Sequence, residues 1–201
     1  MKILICGSAI QQLSMEKLYA IEQSEVDLCI MLGNLEEETI ENIRFCLPDG
    51  VQTLYVLGNK DKFETWNKED AQHIHGFMVP YSCNNIKFTG FMGSPNNTVG
   101  YTQEESLYLC NKLPAADVLI THDAGFHMLD DWKQNNSEGF AGITEYINKN
   151  RPKYHIFGHY DKNYDFQYPK RKPFKKEHLT QEICIAECAI LDYDTGNLIN
   201  I

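Results

Sequence analysis

The chain has 201 residues, 43% of them hydrophobic and 23% charged, with 18 Lys and Arg against 28 Asp and Glu for a net charge of −10. This describes one globular domain long enough to bury its own core, and it excludes a disordered chain. It also excludes a surface that is basic overall and built for nucleic acid, and no stretch reaches the about 20 apolar residues of a membrane helix.

Lys2–Cys6 is a short apolar run. It is read as a buried first strand, because a signal-peptide core needs about 7–15 apolar residues. Residues 14–23 have helical period, with Met15, Leu18, Tyr19 and Ala20 or Ile21 on one face. A second strand is expected at 26–32, a helix at 37–46 with Ile40, Ile43 and Leu47 inward, and a third strand at 53–57. That β-α-β-α-β order predicts parallel strands with right-handed crossovers. Strands at 86–92 and 116–121 flank a helix at 103–112, and a helix at 142–150 leads to a strand at 153–157. The tail, 182–193 and 198–201 around Asp194-Thr195-Gly196-Asn197, reads as a β-hairpin. The expected fold class is α/β, a single domain over 1–201 with two sheets in one sandwich and a C-terminal hairpin.

Seven cysteines without any CxxC suggest reduced, mostly buried thiols in a cytosol-like compartment, so a cytoplasmic location is expected. Cys184 and Cys188, four apart in an apparent strand, would be about 13 Å apart, too far for one zinc ion.

In open α/β sheets, ligands gather at the carboxyl ends of the strands. The residues following the strands here are Cys6-Gly7-Ser8-Ala9, Leu32-Gly33-Asn34, Leu57-Gly58-Asn59-Lys60-Asp61, Ile120-Thr121-His122-Asp123 and Phe157-Gly158-His159-Tyr160-Asp161. Five loops thus bring Asn, His, Lys and Asp to one edge.

Their order and spacing resemble the calcineurin-like metallophosphoesterases over essentially the whole chain. That family's pattern is Asp-x-His, Gly-Asp, Gly-Asn-His-Asp/Glu, a His after a strand, and Gly-His-x-His. Ala189-Ile190-Leu191-Asp192-Tyr193-Asp194-Thr195-Gly196 is similar to the family's terminal hairpin. The resemblance implies a helix-flanked two-sheet sandwich and a phosphoric ester hydrolase ancestry. Members hold two divalent metals roughly 3.5–4 Å apart, which clamp a phosphate and generate a hydroxide.

The departures define the expectation. The family's first Asp and its His partner align with Gly7 and Ala9, the bridging Asp with Asn34, and the last His with Asp161. The first metal site is therefore expected to be lost. Second-site ligands map to Asn34, Asn59, His122 and His159, which could hold one Mn, Zn, Fe or Ni ion, or none, since every donor is neutral. Asn34 could equally form an ordinary Gly-Asn turn. Asp123 or Asp161 could supply a negative charge. Lys60 replaces the family's leaving-group His. It either holds a phosphate as a point cation or pairs with Asp61 or Asp161.

Three roles are expected on this basis: catalysis by Lys60 and Asp161, substrate contact by Lys60, Asp123 and Tyr160, and metal contact by the four second-site residues. His155, inside a strand, is expected in the core, and His73 and His75 at the surface. Lys170-Arg171-Lys172-Pro173-Phe174-Lys175-Lys176, after Tyr164, Phe166 and Tyr168, is either a solvated loop or a grip for a nucleotide or RNA. Asp130 to Asn136, with Trp132, reads as a flap. The leading functional expectation is an impaired enzyme whose strand-end cleft binds a phosphorylated small molecule, such as a nucleotide, or a protein partner. An active single-metal phosphodiesterase is the alternative. Relatives that cleave RNA branches share a Cys near the first Asp position and a Thr121-His122-Asp123-like stretch. A purely structural scaffold is the third reading.

Overall fold

The computed structural model describes residues 1–10, 13–62, 71–76, 81–95, 97, 99–128, 138–168 and 179–201. The chain order is β1 (Lys2–Cys6), α1 (Met15–Glu22), β2 (Leu28–Met31), α2 (Glu37–Cys46), β3 (Gln52–Tyr55), β4 (Ala71–His73), β5 (Tyr81–Cys83), β6 (Ile86–Phe91), α3 (Gln103–Cys110), β7 (Val118–Thr121), α4 (Ala141–Asn150), β8 (Tyr154–Phe157), β9 (Tyr164–Tyr168), β10 (Thr180–Cys184), β11 (Cys188–Asp192) and β12 (Leu198–Asn200). These strands form two six-stranded sheets, ordered β12-β11-β1-β2-β3-β4 and β5-β6-β7-β8-β10-β9. The expected mixed α/β sandwich with a C-terminal hairpin is the observed architecture.

Strands β1 to β4 run parallel, as do β6, β7, β8 and β10, while β11, β5 and β9 pair antiparallel to their neighbours. All eight parallel strands are short and most are buried on both faces, which is why they read as apolar runs. The main core fills the space between the sheets with Ile3, Ile5, Leu54, Val56, Phe88, Ile120 and Ile156. A second core puts Ile143, Tyr146 and Ile147 of α4 and Cys110 of α3 against Leu119, on the outer face of the second sheet. The helix starts have visible chemical causes. Ser14 caps α1 by accepting from Lys17 N, and Thr102 and Glu105 form a reciprocal capping box at α3.

Four expectations are corrected. The tail stretch 182–193 is two strands in different sheets, β10 and β11. The chain crosses between sheets at Ile185 to Glu187, and Ile185 N–H donates to Phe157 O on the way. Both halves are buried, and the two apolar runs are separated only by Glu187, so they read as one strand. On α1, Ile21 turns inward and Leu18 packs at the core edge, while Met15 and Tyr19 face solvent at 79% and 63% exposure. His75 is half-buried rather than superficial: its Nδ1 accepts from Met92 N at 3.1 Å, and its Nε2 lies 2.8 Å from Tyr101 Oη. Tyr164, Phe166 and Tyr168 belong to edge strand β9, not to a loop. The basic run 170–176 and the 130–136 flap lie outside the described residues.

None of the seven cysteines, all of which lie among the described residues, forms a disulfide, and Cys6, Cys29, Cys110, Cys184 and Cys188 are buried. No helix among the described residues is long and apolar enough to cross a membrane.

Candidate functional site

The carboxyl ends of parallel strands from both sheets meet at one edge, and glycines let the loops touch. Gly33 (φ +85°) is so close to Gly58 that a Cβ on it would lie 2.2 Å from Gly58 N. This back-to-back contact places Asn34, itself left-handed at φ 58°, beside Asn59. From the second sheet, β7 delivers His122 and β8 delivers His159, the latter at φ 70°. His159 N–H donates to Ser8 Oγ at 2.5 Å, which holds that strained backbone in place.

Four side chains converge. Asn34 Nδ2 donates to Asn59 Oδ1 at 2.8 Å and lies 3.3 Å from His122 Nε2. His122 Nε2 is also 3.2 Å from Asn59 Oδ1 and 3.1 Å from His159 Nδ1. His122 Nδ1 lies 2.6 Å from the Leu32 carbonyl, which can only accept, so Nδ1 carries the proton and Nε2 offers a lone pair to the cluster. His159 Nδ1 then donates to that lone pair, with Ser94 Oγ 3.3 Å away. Apart from the His122 Nε2–Asn59 Oδ1 approach, where two acceptors face each other, the cluster closes on itself as neutral hydrogen bonds. Burial and the nearby His159 push the His122 pKa down to about 4, and the Lys60 charge adds to that depression. His122 is therefore an uncharged imidazole at neutral pH.

The donor chemistry tests the metals implied by the sequence resemblance. Asn34 Oδ1 accepts from Lys60 N at 2.9 Å, so the amide nitrogen, which has no lone pair to give, faces the cluster. Asn34 is thus placed as a donor of hydrogen bonds, not as a bridging ligand. At the first-site position, a Cβ on Gly7 would fall 2.0 Å from Ile185 O, so no side chain fits there on this backbone. The Gly7 and Ala9 amides donate to Glu187 O and Ala186 O, closing that loop onto the crossing between sheets. The residues present do not fit a two-metal centre. Among the described residues, no group of three or more His, Cys, Asp or Glu is placed to hold a metal.

The remaining expected site residues separate by position. Lys60 is exposed at the rim, with its charge felt at His122. Asp161 is exposed in the turn beyond His159, outside the hydrogen-bonded cluster. Asp123 and Tyr160 are corrected as substrate contacts: both are buried, and Tyr160 Oη donates to Asp123 Oδ1 at 2.9 Å while Ala124 N donates to it at 2.7 Å. They form a support behind the histidines, with the Tyr160 ring edge-on to His159 at 5.3 Å. His155 lies in the core as expected, bonded to Glu182 and Thr121.

Sequence reasoning missed three contributors. Ser94 follows β6 in Met92-Gly93-Ser94, a sixth strand end with the same Gly-polar signature as the others. Ser8 was only the unassigned position between Gly7 and Ala9, although its hydroxyl holds His159. Asp61 accepts from the Asn34 and Gly58 amides at 2.9 and 2.7 Å, and so ties the two asparagine loops together. Only its place two residues after Asn59 hinted at that role.

No family model matches the chain, and no curated protein matches it. Solved structures do. One that is 15% identical aligns over 98% of this chain and 96% of its own, with a TM-score of 0.68, a likeness of fold. An archaeal phosphodiesterase aligns over 100% of this chain and 99% of its own at 14% identity and a TM-score of 0.49. Zinc-complexed Vps29 from Entamoeba histolytica aligns over 98% and 89% at 10% identity and a TM-score of 0.47.

Proposed function

We propose that this protein has the metallophosphoesterase fold without two-metal catalysis, and that its strand-end cleft binds a phosphorylated small molecule, such as a nucleotide. The observation that carries this reading is the direction of the Asn34 amide. Lys60 N–H fixes Oδ1, so an N–H group points where the family needs a carboxylate. Two dications that close together require anionic ligands, and here the cluster is neutral. Lys60 supplies a positive charge at the rim and serves as a point cation for phosphate. A phosphate that opens the cluster would take over the N–H groups of His159 and the Asn34 amide as hydrogen-bond donors beside it.

A second reading is a single-metal phosphodiesterase on Asn34, Asn59, His122 and His159. The 3.1–3.2 Å spacing around His122 Nε2 favours it, because the edge of a tetrahedral site with bonds of about 2.1 Å is close to that length. One ion there would require His159 to move its proton to Nε2 and the Asn34 amide to turn.

Elemental analysis of protein purified without chelator and then incubated with Mn or Zn separates the two, with His122→Ala and Asn34→Asp in parallel. We expect no bound metal in the natural chain and increased retention in Asn34→Asp, which restores a carboxylate. About one ion per natural chain, lost in His122→Ala and accompanied by hydrolysis of a phosphodiester, would overturn the proposal in favour of the second reading.

A further inference from the structure

At the opposite end of the second sheet lies a cavity of about 490 Å³, and the reading above makes no use of it. It opens at the amino-terminal ends of the parallel strands: Lys87 is at the start of β6, Asp117 just before β7 and Lys153 just before β8. Asn150 and Arg151 from the end of α4 and Tyr193 from the hairpin complete the polar lining. Three cations against one carboxylate make this lining net positive, in a chain of net charge −10. Its volume is within the ordinary range for small-ligand sites.

Two further observations set it apart from a chance gathering of surface lysines. Arg151 is the C-cap of α4 in the left-handed conformation, φ 49°, where glycine is the usual residue. The chain keeps a side chain in a backbone state that disfavours one, and that side chain is a guanidinium on the cavity wall. Lys153 is held in place: Nζ donates to the Tyr193 carbonyl and sits 4.1 Å over the Tyr193 ring. Its ammonium is positioned before any ligand arrives, which lowers the ordering cost of binding. Asp117 is anchored too, accepting from Lys87 N at 2.8 Å.

We propose that this cavity binds a small phosphate monoester bearing hydroxyl groups, with the dianion on Lys87, Arg151 and Lys153 and a hydroxyl donating to Asp117. The lining matches that ligand in charge and in donor-acceptor sense. A guanidinium offers paired donors to phosphate oxygens, two ammonium groups add charge, and one carboxylate selects a molecule with a hydroxyl over the bare anion. The proposal stands independently of the strand-end cleft, because the two sites lie at opposite ends of the same parallel strands.

The test is an NMR titration of the full chain with ribose 5-phosphate, inorganic phosphate, sulfate and ribose, on the natural protein, Arg151→Gly and Lys60→Ala. Ribose 5-phosphate is expected to saturate and to shift the amides of Lys87, Arg151 and Lys153. Inorganic phosphate should bind more weakly, and ribose should not bind. Arg151→Gly relieves the left-handed backbone, so its melting temperature should hold or rise while its affinity drops about tenfold or more. Lys60→Ala should leave the shifts in the cavity intact. No saturable binding of ribose 5-phosphate would overturn the proposal, as would equal binding of sulfate and phosphate that disappears with modest salt. Binding that survives Arg151→Gly but is lost in Lys60→Ala would also overturn it, by moving the phosphate to the strand-end cleft.

Discussion

Two histidine-centred clusters lie next to each other in this protein, and consecutive residues, Thr121 and His122, belong to different ones. In the inner cluster, His155 Nδ1 is 2.5 Å from Glu182 Oε2, and its Nε2 is 2.7 Å from Thr121 Oγ1. Carboxylate, imidazole and hydroxyl in that sequence look like a nucleophilic triad, yet all three residues are 0% exposed. The outer cluster of Asn34, Asn59, His122 and His159 has no carboxylate but reaches the rim of the sheet edge. Access separates the structural cluster from the candidate site as much as residue type does: His122 is itself buried, but Asn34, Asn59 and His159 are partly exposed. The inner one joins β7, β8 and β10 from the core, and the outer one joins the two sheets where the strands end.

The largest expected effect tests the structural role of the inner cluster. Glu182→Ala leaves His155 buried without its partner, and denaturant unfolding should show a loss of about 3–5 kcal/mol. Glu182→Gln, which keeps an acceptor, should lose clearly less; equal losses would show that the charge rather than the hydrogen bond matters. Acid should next distinguish the outer histidine. His122 and His75 both have pKa values pushed down to about 4, chiefly by burial. Between about pH 4 and 6.5 the unfolded chain therefore binds more protons than the folded one, and stability falls as the pH falls through that window. The contribution of His122 is fully present above pH 6.5 and is on the order of 3 kcal/mol. His122→Gln should flatten the pH dependence of the unfolding midpoint between 6.5 and 4, and an unchanged slope would refute the assignment.

A smaller effect is expected where the loops touch. A Cβ on Gly58 would meet Asn34 Oδ1 at 2.2 Å and His122 Cε1 at 2.7 Å. Gly58→Ala should thus destabilise by about 1–3 kcal/mol and displace the His122 ring resonances. Ser94→Ala should cost the least, about 1 kcal/mol or below, because its hydroxyl lies 3.3 Å from His159 Nδ1. Its clearest mark should be a displaced His159 ring resonance by NMR, with the His155 ring resonances unmoved.

Much of the frame was legible before the structure. Lys2–Cys6 and Glu37–Cys46 match their expected ranges, because a strand buried on both faces and a helix with Ile40 and Ile43 inward leave strong local patterns. The convergence of Asn34, Asn59, His122 and His159 was also readable, since parallel strands bring their following loops to one edge. Strands β4, β5 and β9 were not, being only 3–5 residues long and lying at the edges of the two sheets, where no buried apolar run marks them.

By itself, the sequence determined the α/β class, the parallel order, the strand-end residues and the absence of the first carboxylates, because each is a matter of local pattern or residue identity. Tertiary structure decided which way the Asn34 amide points, that Gly7 has no room for a side chain, that Asp123 and Tyr160 face each other in the interior, and that Lys87, Arg151 and Lys153 share a cavity. Each of these depends on contacts between segments distant in the chain, where a single carbonyl or N–H sets orientation, and no local pattern encodes it.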